Sequence, residues 1–200
     1  MKKIYKLWVI PAVLLLISTF ISCESSDLEL SKSVFIEDDD YPGLPEYSEW
    51  GYNTFGMYID RGVFVSSENV FPVKIIVNPD TFNITFNGSY KSGQASLRIS
   101  LIGYAPTDYP ELIELNDSVI DLKASNCIVS LKYAGETTVL NIIGGSLTFK
   151  RVQNLYIDKE FAKTILSGRI EFKTFMDNEP VAITNGRFDL GVGYENFYYY

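Results

Sequence analysis

The sequence predicts an all-β fold, an antiparallel β-sandwich or partly closed barrel of about ten to twelve short strands. From Trp50 onward, apolar and polar residues alternate with a period of two, which is typical of strands that bury one face. Gly, Asn and Asp residues interrupt this alternation at short intervals, as the turns between short strands require. No stretch beyond residue 22 keeps a helical period for more than one or two turns, and residues 159–166 are the best helical candidate.

Residues 1–22 have the pattern of a bacterial secretory signal. Three lysines precede an apolar run over residues 7–17, which is too short for a mature transmembrane helix. The sequence Phe-Ile-Ser-Cys that follows resembles a lipobox, in which the cysteine is acylated before cleavage on its amino side, although Phe20 stands where leucine is usual. We therefore predict a lipoprotein signal peptide and lipidation of Cys23. A plain secretory signal with an incidental cysteine and an N-terminal membrane anchor are the alternatives.

Lipidation of Cys23 predicts where the protein resides. Two or three acyl chains on one residue anchor a protein stably to a bilayer, whereas a single chain is marginal. We expect a protein attached to the outer membrane or cell surface, with its membrane contact made through Cys23 alone.

Residues 23–49 predict an acidic flexible tether between the lipid and a single β domain over residues 50–200. The segment is polar, acidic and rich in turn residues, and it shows no sustained period. Its centre holds four consecutive acids, Glu37 to Asp40. A calcium loop needs alternating oxygen ligands and a glycine that permits a bend, so we interpret these acids as a solvated charge run.

The β domain divides into strands and hairpins when the turn residues are taken as boundaries. The predicted strands cover residues 54–60, 63–65, 71–77, 81–86, 95–101, 137–143, 146–152, 167–176 and 181–190. Asn87-Gly88 and Gly144-Gly145 are interpreted as turns because these residues tolerate positive φ.

The charge balance argues against nucleic-acid binding. The chain has 17 basic and 25 acidic residues, a formal net charge of −8. Removal of the signal would take away three lysines and no acid, so that the charge becomes −11. Phosphate backbones and anionic headgroups repel such a surface. We expect no nucleic-acid partner.

The residue types present exclude several kinds of catalysis. The chain has no histidine, so it cannot build a Ser-His-Asp or Cys-His nucleophile system or an HExxH metal helix. Gly-rich phosphate loops are absent from the sequence, and no carboxylate pair stands out as a glycosidase pair among the many acids. Cys127 lies in an apolar run, where a thiol most often packs as a small hydrophobe. We expect no enzyme activity, no cofactor and no metal.

Aromatic residues are abundant, with 14 Tyr, 13 Phe and 2 Trp. A tyrosine or tryptophan ring stacks on apolar or sugar faces while its polar atom stays hydrated. Four aromatics in predicted loops are candidate ligand-binding residues: Trp50, Tyr52, Tyr104 and Tyr109. Our hypothesis is that they line a groove for a glycan or protein ligand; the alternative is that they cap the ends of the sheets.

Three motifs carry a resemblance to a known class of protein. They are Asn-Thr-Phe-Gly at residues 53–56, Ser-Gly-Arg-Ile-Glu-Phe at 167–172 and Thr-Asn-Gly-Arg-Phe at 184–188. Together they resemble lipoproteins of unknown function from Bacteroidota, although Ile170 stands where phenylalanine is usual. The resemblance spans most of the mature domain. It implies a β domain on the cell surface and supplies no catalytic residue.

Two function classes follow from these observations. The first is a non-catalytic surface lipoprotein that binds a glycan or a partner protein. The second is a structural subunit or anchor of a fimbria-like assembly, in which an end strand exchanges between subunits.

Overall fold

The structure is a computed structural model that describes residues 32–67, 71–176 and 178–200. The predicted signal peptide and Cys23 lie outside these residues. Within the described ranges, no helix has the length and apolar character needed to cross a membrane.

Twelve strands and one 3₁₀ helix make up the described chain. The 3₁₀ helix, Tyr109–Leu115, lies between β5 and β6. The strands are β1 (Thr54–Ile59), β2 (Gly62–Ser66), β3 (Val73–Asn78), β4 (Thr81–Tyr90), β5 (Gly93–Ile102), β6 (Val119–Asp121), β7 (Cys127–Tyr133), β8 (Glu136–Val139), β9 (Asn141–Ile157), β10 (Glu160–Met176), β11 (Glu179–Val192) and β12 (Phe197–Tyr199).

The strands form one sheet that does not close into a barrel, so the predicted all-β class is confirmed. The main path runs β6-β9-β10-β11-β1-β2-β4-β5-β7-β8, with β3 beside β4 and β12 beside β3. Every pairing is antiparallel except that of β12 with β3. The short hairpin β1–β2 and the long hairpin β10–β11 match the predicted ones.

The core forms where the sheet folds over on itself. Phe86 of β4 packs edge-on against Phe55 of β1 and Phe188 of β11, with ring centroids 5.5 and 5.6 Å apart. Phe188 also meets Phe149 of β9 at 5.7 Å. Because β4 and β11 are separated by two strands along the sheet, these contacts join its two halves, as in a sandwich.

Residues 32–52, which we call the N-terminal strap, lie on the outer face of the sheet, away from the core. Leu44 is fully buried there, and Pro45 packs so closely on β1 that a Cβ at Gly56 would lie 2.4 Å from the proline Cδ. The predicted tether over residues 23–49 is therefore corrected for residues 32–49, and the packed unit begins at Lys32 rather than Trp50. This packing is not visible in the sequence, because the residues around Leu44 are mostly polar and show no period of a strand or a helix.

In the acidic run at residues 37–40, predicted as a solvated charge run, Glu37, Asp39 and Asp40 are exposed and only Asp38 differs from the prediction. Asp38 forms an ion pair with Arg187 of β11, whose side chain is only 2% exposed. The Arg187 guanidinium carbon lies 4.4 Å from the centroid of the Tyr41 ring, and its Nε donates to the carbonyl of Asn185 at 3.2 Å. The strap thus covers a buried cation and supplies its counter-charge.

Two glycine turns predicted from the sequence are wrong. Strand β4 continues through Gly88 to Tyr90. Glycine is needed there because β2 lies so close that a Cβ at Gly88 would be 2.1 Å from the Val65 carbonyl oxygen. Strand β9 continues through Gly144 and Gly145, and a Cβ at Gly145 would lie 2.3 Å from the Phe172 Cα. Here glycine permits close approach of two backbones inside a sheet rather than a chain reversal.

The helical prediction over residues 159–166 is wrong as well. This segment forms the start of β10, where its register with β9 is fixed from Glu160 opposite Ile157. The 3₁₀ helix occurs instead at Tyr109–Leu115, where the Asp108 side chain accepts from the Tyr109 N–H and Pro110 occupies the first turn. Tertiary pairing overrides a weak local preference in β10.

Candidate functional site

The candidate site is built on a buried carboxylate, Asp189 of β11, which is 1% exposed. Its two oxygens accept hydrogen bonds from three consecutive backbone N–H groups of the strap, at Trp50 (3.1 Å), Gly51 (2.8 Å) and Tyr52 (3.0 Å). The hydroxyls of Ser48 and Ser167 also donate to it. Charge-assisted bonds of this kind are stronger than neutral ones, so they hold the strap in one conformation next to Trp50.

Glycine permits the tight path of the strap at this point. Gly51 has φ +78°, in the left-handed region, and a Cβ there would lie 3.1 Å from the Ile165 side chain of β10. Because the strap backbone at Gly51 runs so close to the sheet, its N–H groups can point toward Asp189.

A surface groove of about 300 Å³ runs beside Trp50. It lies between the strap and the outward side chains of β9, and it is lined by Tyr47, Ser48, Glu49, Trp50, Arg151 and Gln153. Trp50 is 75% exposed. The groove therefore combines one open indole face with a carboxylate, a guanidinium and an amide.

The polar groups of the groove are held by each other. Arg151 Nη1 lies 3.2 Å from Glu49 Oε2, and Gln153 Nε2 donates to the Glu49 carbonyl at 2.8 Å. The Tyr47 hydroxyl donates to Glu49 Oε1 at 3.0 Å, and the Arg169 guanidinium lies 4.9 Å from the Tyr47 ring centroid. These contacts fix the groups while leaving the Arg151 side chain 56% exposed.

The ionisation of Tyr47 is suppressed. Burial, followed by the hydrogen bond to Glu49 and the negative charge of that residue, raises the pKa of Tyr47. The hydroxyl therefore remains a hydrogen-bond donor across the physiological pH range.

Trp50 and Tyr52, two of the predicted ligand-binding residues, lie in the strap close to this groove. Only Trp50 lines it. Tyr52 is half-buried, its N–H donates to Asp189, and its carbonyl accepts from the Val34 N–H at 2.8 Å. Its backbone holds the strap in place.

Tyr104 and Tyr109, the other two, lie on the opposite side of the sheet. The Tyr109 carbonyl accepts from Thr164 Oγ1 at 2.9 Å, whereas Gly51 contacts the adjacent Ile165. Because successive side chains of a strand point to opposite faces, these contacts place Tyr109 and Trp50 on different faces of β10.

Both of these tyrosines are engaged in packing. The Tyr109 ring stacks on Phe161, with centroids 5.2 Å apart. The Tyr104 ring packs edge-on against Phe82 at 5.3 Å, and burial raises the pKa of Tyr104 to about 12. The four predicted aromatics therefore do not converge on one groove.

Sequence reasoning missed the polar groups of the groove and their support. Arg151 and Gln153 flank the buried Val152 in β9, so the period-two alternation alone indicates that they face outward. Asp189 stands between the buried residues Phe188 and Leu190. A carboxylate in that setting indicates a buried acceptor that must find several donors.

The groove offers stacking and hydrogen bonding, and its residues form no cluster suited to a metal. Among the residues that the structure describes, no three Cys, Asp or Glu side chains are arranged to hold a metal ion. Comparison of the chain with family models, with curated proteins and with solved structures finds no match.

Proposed function

We propose that this protein is a non-catalytic lipoprotein of the cell surface that binds a glycan in the groove beside Trp50. The observation that carries the proposal is the 75% exposed indole on a strap segment that Asp189 holds by three backbone N–H groups. Because the backbone that carries the ring is held before binding, ordering of this segment costs little conformational entropy when a sugar stacks on the indole.

The groups around the indole suit a sugar better than an apolar ligand. The Glu49 carboxylate accepts hydrogen bonds, while the Arg151 guanidinium and Gln153 amide donate them. Sugar hydroxyls both donate and accept, so they can pair with all three while the apolar face of the ring covers Trp50. A protein partner that presents similar groups is the other ligand class consistent with the groove.

The membrane attachment in this proposal comes from the sequence. The lipobox-like ending at Cys23 and the resemblance to Bacteroidota lipoproteins support an outer-membrane or cell-surface location. The acidic surface supports attachment through lipid alone, because anionic headgroups repel it.

Tryptophan fluorescence tests the proposal directly. The chain has two tryptophans, Trp8 in the predicted signal and Trp50, so a protein that starts at Glu24 reports only on Trp50. Titration with a panel of soluble polysaccharides is expected to change the emission with a saturable dependence on concentration. Isothermal titration with the responding polysaccharide gives the affinity.

Two variants make the test specific. Trp50→Ala is expected to weaken binding about fivefold to a hundredfold, since stacking of a nucleic-acid base on one aromatic contributes about 1–3 kcal/mol and we expect a similar range for a sugar ring. Phe71→Ala, which removes another exposed aromatic (49% exposed) away from the groove, is the matched control. The proposal fails if no polysaccharide binds, or if both variants bind as the unaltered protein does.

Strand β12 supports the alternative function, a subunit of a fimbria-like assembly. It has only three residues, Phe197–Tyr199, and it pairs in parallel with β3. A short terminal strand has few hydrogen bonds to break, so it can exchange between copies at low cost. Size-exclusion chromatography over a range of concentrations separates the two functions: concentration-dependent polymers favour assembly, and a monomer at all concentrations favours binding.

A further inference from the structure

We infer that a second site, at the end of the sheet between the β1–β2 and β4–β5 turns, binds an oxyanion such as a carboxylate or sulfate group. A surface depression of about 530 Å³ lies there. Its lining residues are Ile59, Asp60, Arg61, Gly62, Tyr90, Lys91, Ala182 and Thr184. None of them lines the groove beside Trp50, so this inference does not depend on the proposed function.

The side chains that line the depression offer more hydrogen-bond donors than acceptors. Arg61 and Lys91 are exposed, and neither forms an ion pair with any residue in the described ranges. The hydroxyls of Tyr90 and Thr184 likewise have no side-chain or backbone acceptor in the part of the chain that the structure describes. Two cations and two hydroxyls around one cavity are a donor set that an oxyanion satisfies.

The one acid in the lining is already engaged. Asp60 Oδ1 accepts a hydrogen bond from the Ala182 N–H at 3.0 Å, and the Asp60 N–H donates to the Ala182 carbonyl at 2.8 Å. These bonds tie Asp60 to β11, and with its negative charge counted against Arg61 and Lys91 the lining keeps a formal charge of +1 for an external anion. This positive charge is confined to the depression, whereas the whole chain carries a net charge of −8.

The walls of the depression are fixed by packing. The Tyr90 ring is 8% exposed and lies against Gly62, where a Cβ would be 2.6 Å from the Tyr90 Cε2. Tyr133 packs edge-on against the Tyr90 ring at 5.4 Å, and the Lys91 ammonium lies 5.1 Å from its centroid. A preorganised aromatic wall beside a cation reduces the ordering cost of binding.

Isothermal titration of the protein that starts at Glu24 tests the inference. The probes are sodium sulfate, sodium acetate, sodium glucuronate and glucose at constant ionic strength, with chloride as the balancing anion. We expect saturable binding of the oxyanions and none of glucose. Tighter binding of glucuronate than of acetate assigns the anion to an acidic sugar, whereas equal binding assigns it to a free oxyanion; both outcomes support the site.

A double variant and a matched control locate the binding. Arg61→Gln with Lys91→Gln is expected to raise the Kd for the oxyanion at least about tenfold, since two charge-assisted contacts are lost. Lys123→Gln with Lys159→Gln removes the same charge from two other exposed turns and is expected to leave the Kd within about twofold. Circular dichroism checks that both proteins are folded.

Further variants separate this site from the groove. Tyr90→Phe removes one donor and is expected to raise the Kd a few-fold, whereas Trp50→Ala is expected to leave oxyanion binding unchanged. Absence of saturable oxyanion binding overturns the inference. So does an equal loss in the two double variants, because that result shows a general charge effect.

Discussion

At the scale of single residues, the outer face of β11 carries two buried charged side chains, and the strap stabilises each of them in a different way. Arg187 pairs with the Asp38 carboxylate, whereas Asp189 accepts hydrogen bonds from the strap backbone and two serines. The second arrangement is sensitive to the loss of an oxygen, because Asp189 is only 1% exposed and five donors share its two oxygens.

Replacement of Asp189 by Asn tests this dependence. The amide keeps the size of the side chain, yet it removes the charge and turns one acceptor into a donor that faces other donors. We expect the free energy of unfolding, measured in urea, to fall by about 2–4 kcal/mol. Asp60→Asn is the control, because Asp60 is exposed and its carboxylate accepts one backbone hydrogen bond. Equal stability of the two variants would contradict the role assigned to Asp189.

Tyr104 gives a prediction with the opposite sign. Its hydroxyl is buried and has no hydrogen-bond partner in the described ranges, so Tyr104→Phe is expected to leave stability at pH 7 unchanged or raise it by up to about 1 kcal/mol. Burial, with smaller contributions from Glu114 and Glu111, raises the pKa of Tyr104 from 10.0 to about 12.

The raised pKa also predicts how stability depends on pH. The unfolded chain releases the tyrosine proton near pH 10 and the folded chain near pH 12, so folding stability is lost as the pH rises through this window. Tyr104→Phe is expected to make that loss smaller, as measured by urea unfolding between pH 9 and about 12. Tyr194→Phe, at a position 88% exposed, is expected to keep the original profile.

At the scale of elements, β9 and β10 depend on one glycine of an adjacent pair. Gly145 has φ +139° and lies against the Phe172 backbone, whereas a Cβ at Gly144 would have open space around it. We expect Gly145→Ala to lower the free energy of unfolding by about 3 kcal/mol. Gly144→Ala is expected to be neutral or to stabilise by about 0.5–1 kcal/mol, because alanine restricts the unfolded chain. Similar effects of the two changes would show that backbone proximity does not select glycine at 145.

The strands also show which of their features could be predicted from the sequence. Alternation indicates the β10–β11 hairpin where β10 alternates between buried and exposed residues in its second half, and the turn at Arg61-Gly62 indicates the β1–β2 hairpin. Alternation failed at Gly88 and Gly144-Gly145, where a glycine inside a strand and a glycine in a turn look identical in sequence. The difference depends on a neighbouring strand that is distant along the chain, such as Val65 opposite Gly88.

At the scale of the whole molecule, the fold class could be predicted and the site only in part. The sequence predicts Trp50 as one of four aromatics in loops, and only Trp50 of the four lines the groove. Glu49, Arg151 and Gln153 join it only when residues about a hundred positions apart are brought together. The strap was missed for a related reason: its attachment comes from Leu44 and from charges whose partners lie on β11, and no local period records such pairings.

The strap therefore yields the last prediction, on where the folding unit begins. A protein that begins at Trp50 lacks Leu44, the Asp38 carboxylate opposite Arg187 and the Ser48 hydroxyl that donates to Asp189. Compared with a protein that begins at Lys32, we expect it to lose about 4 kcal/mol or more, and its Tm to fall by about 10 °C or more.

A second substitution identifies the cause of that loss. Arg187→Met is expected to destabilise the protein that begins at Lys32, where it breaks the ion pair with Asp38. In the protein that begins at Trp50 it is expected to change the Tm little, because the ion pair is already absent and the strap no longer covers the Arg187 side chain. Thermal unfolding followed by circular dichroism measures all four proteins. Equal Tm values for the two starting points would show that the strap is dispensable for folding. An equal effect of Arg187→Met in both proteins would show that the strap does not act through its ion pair with Arg187.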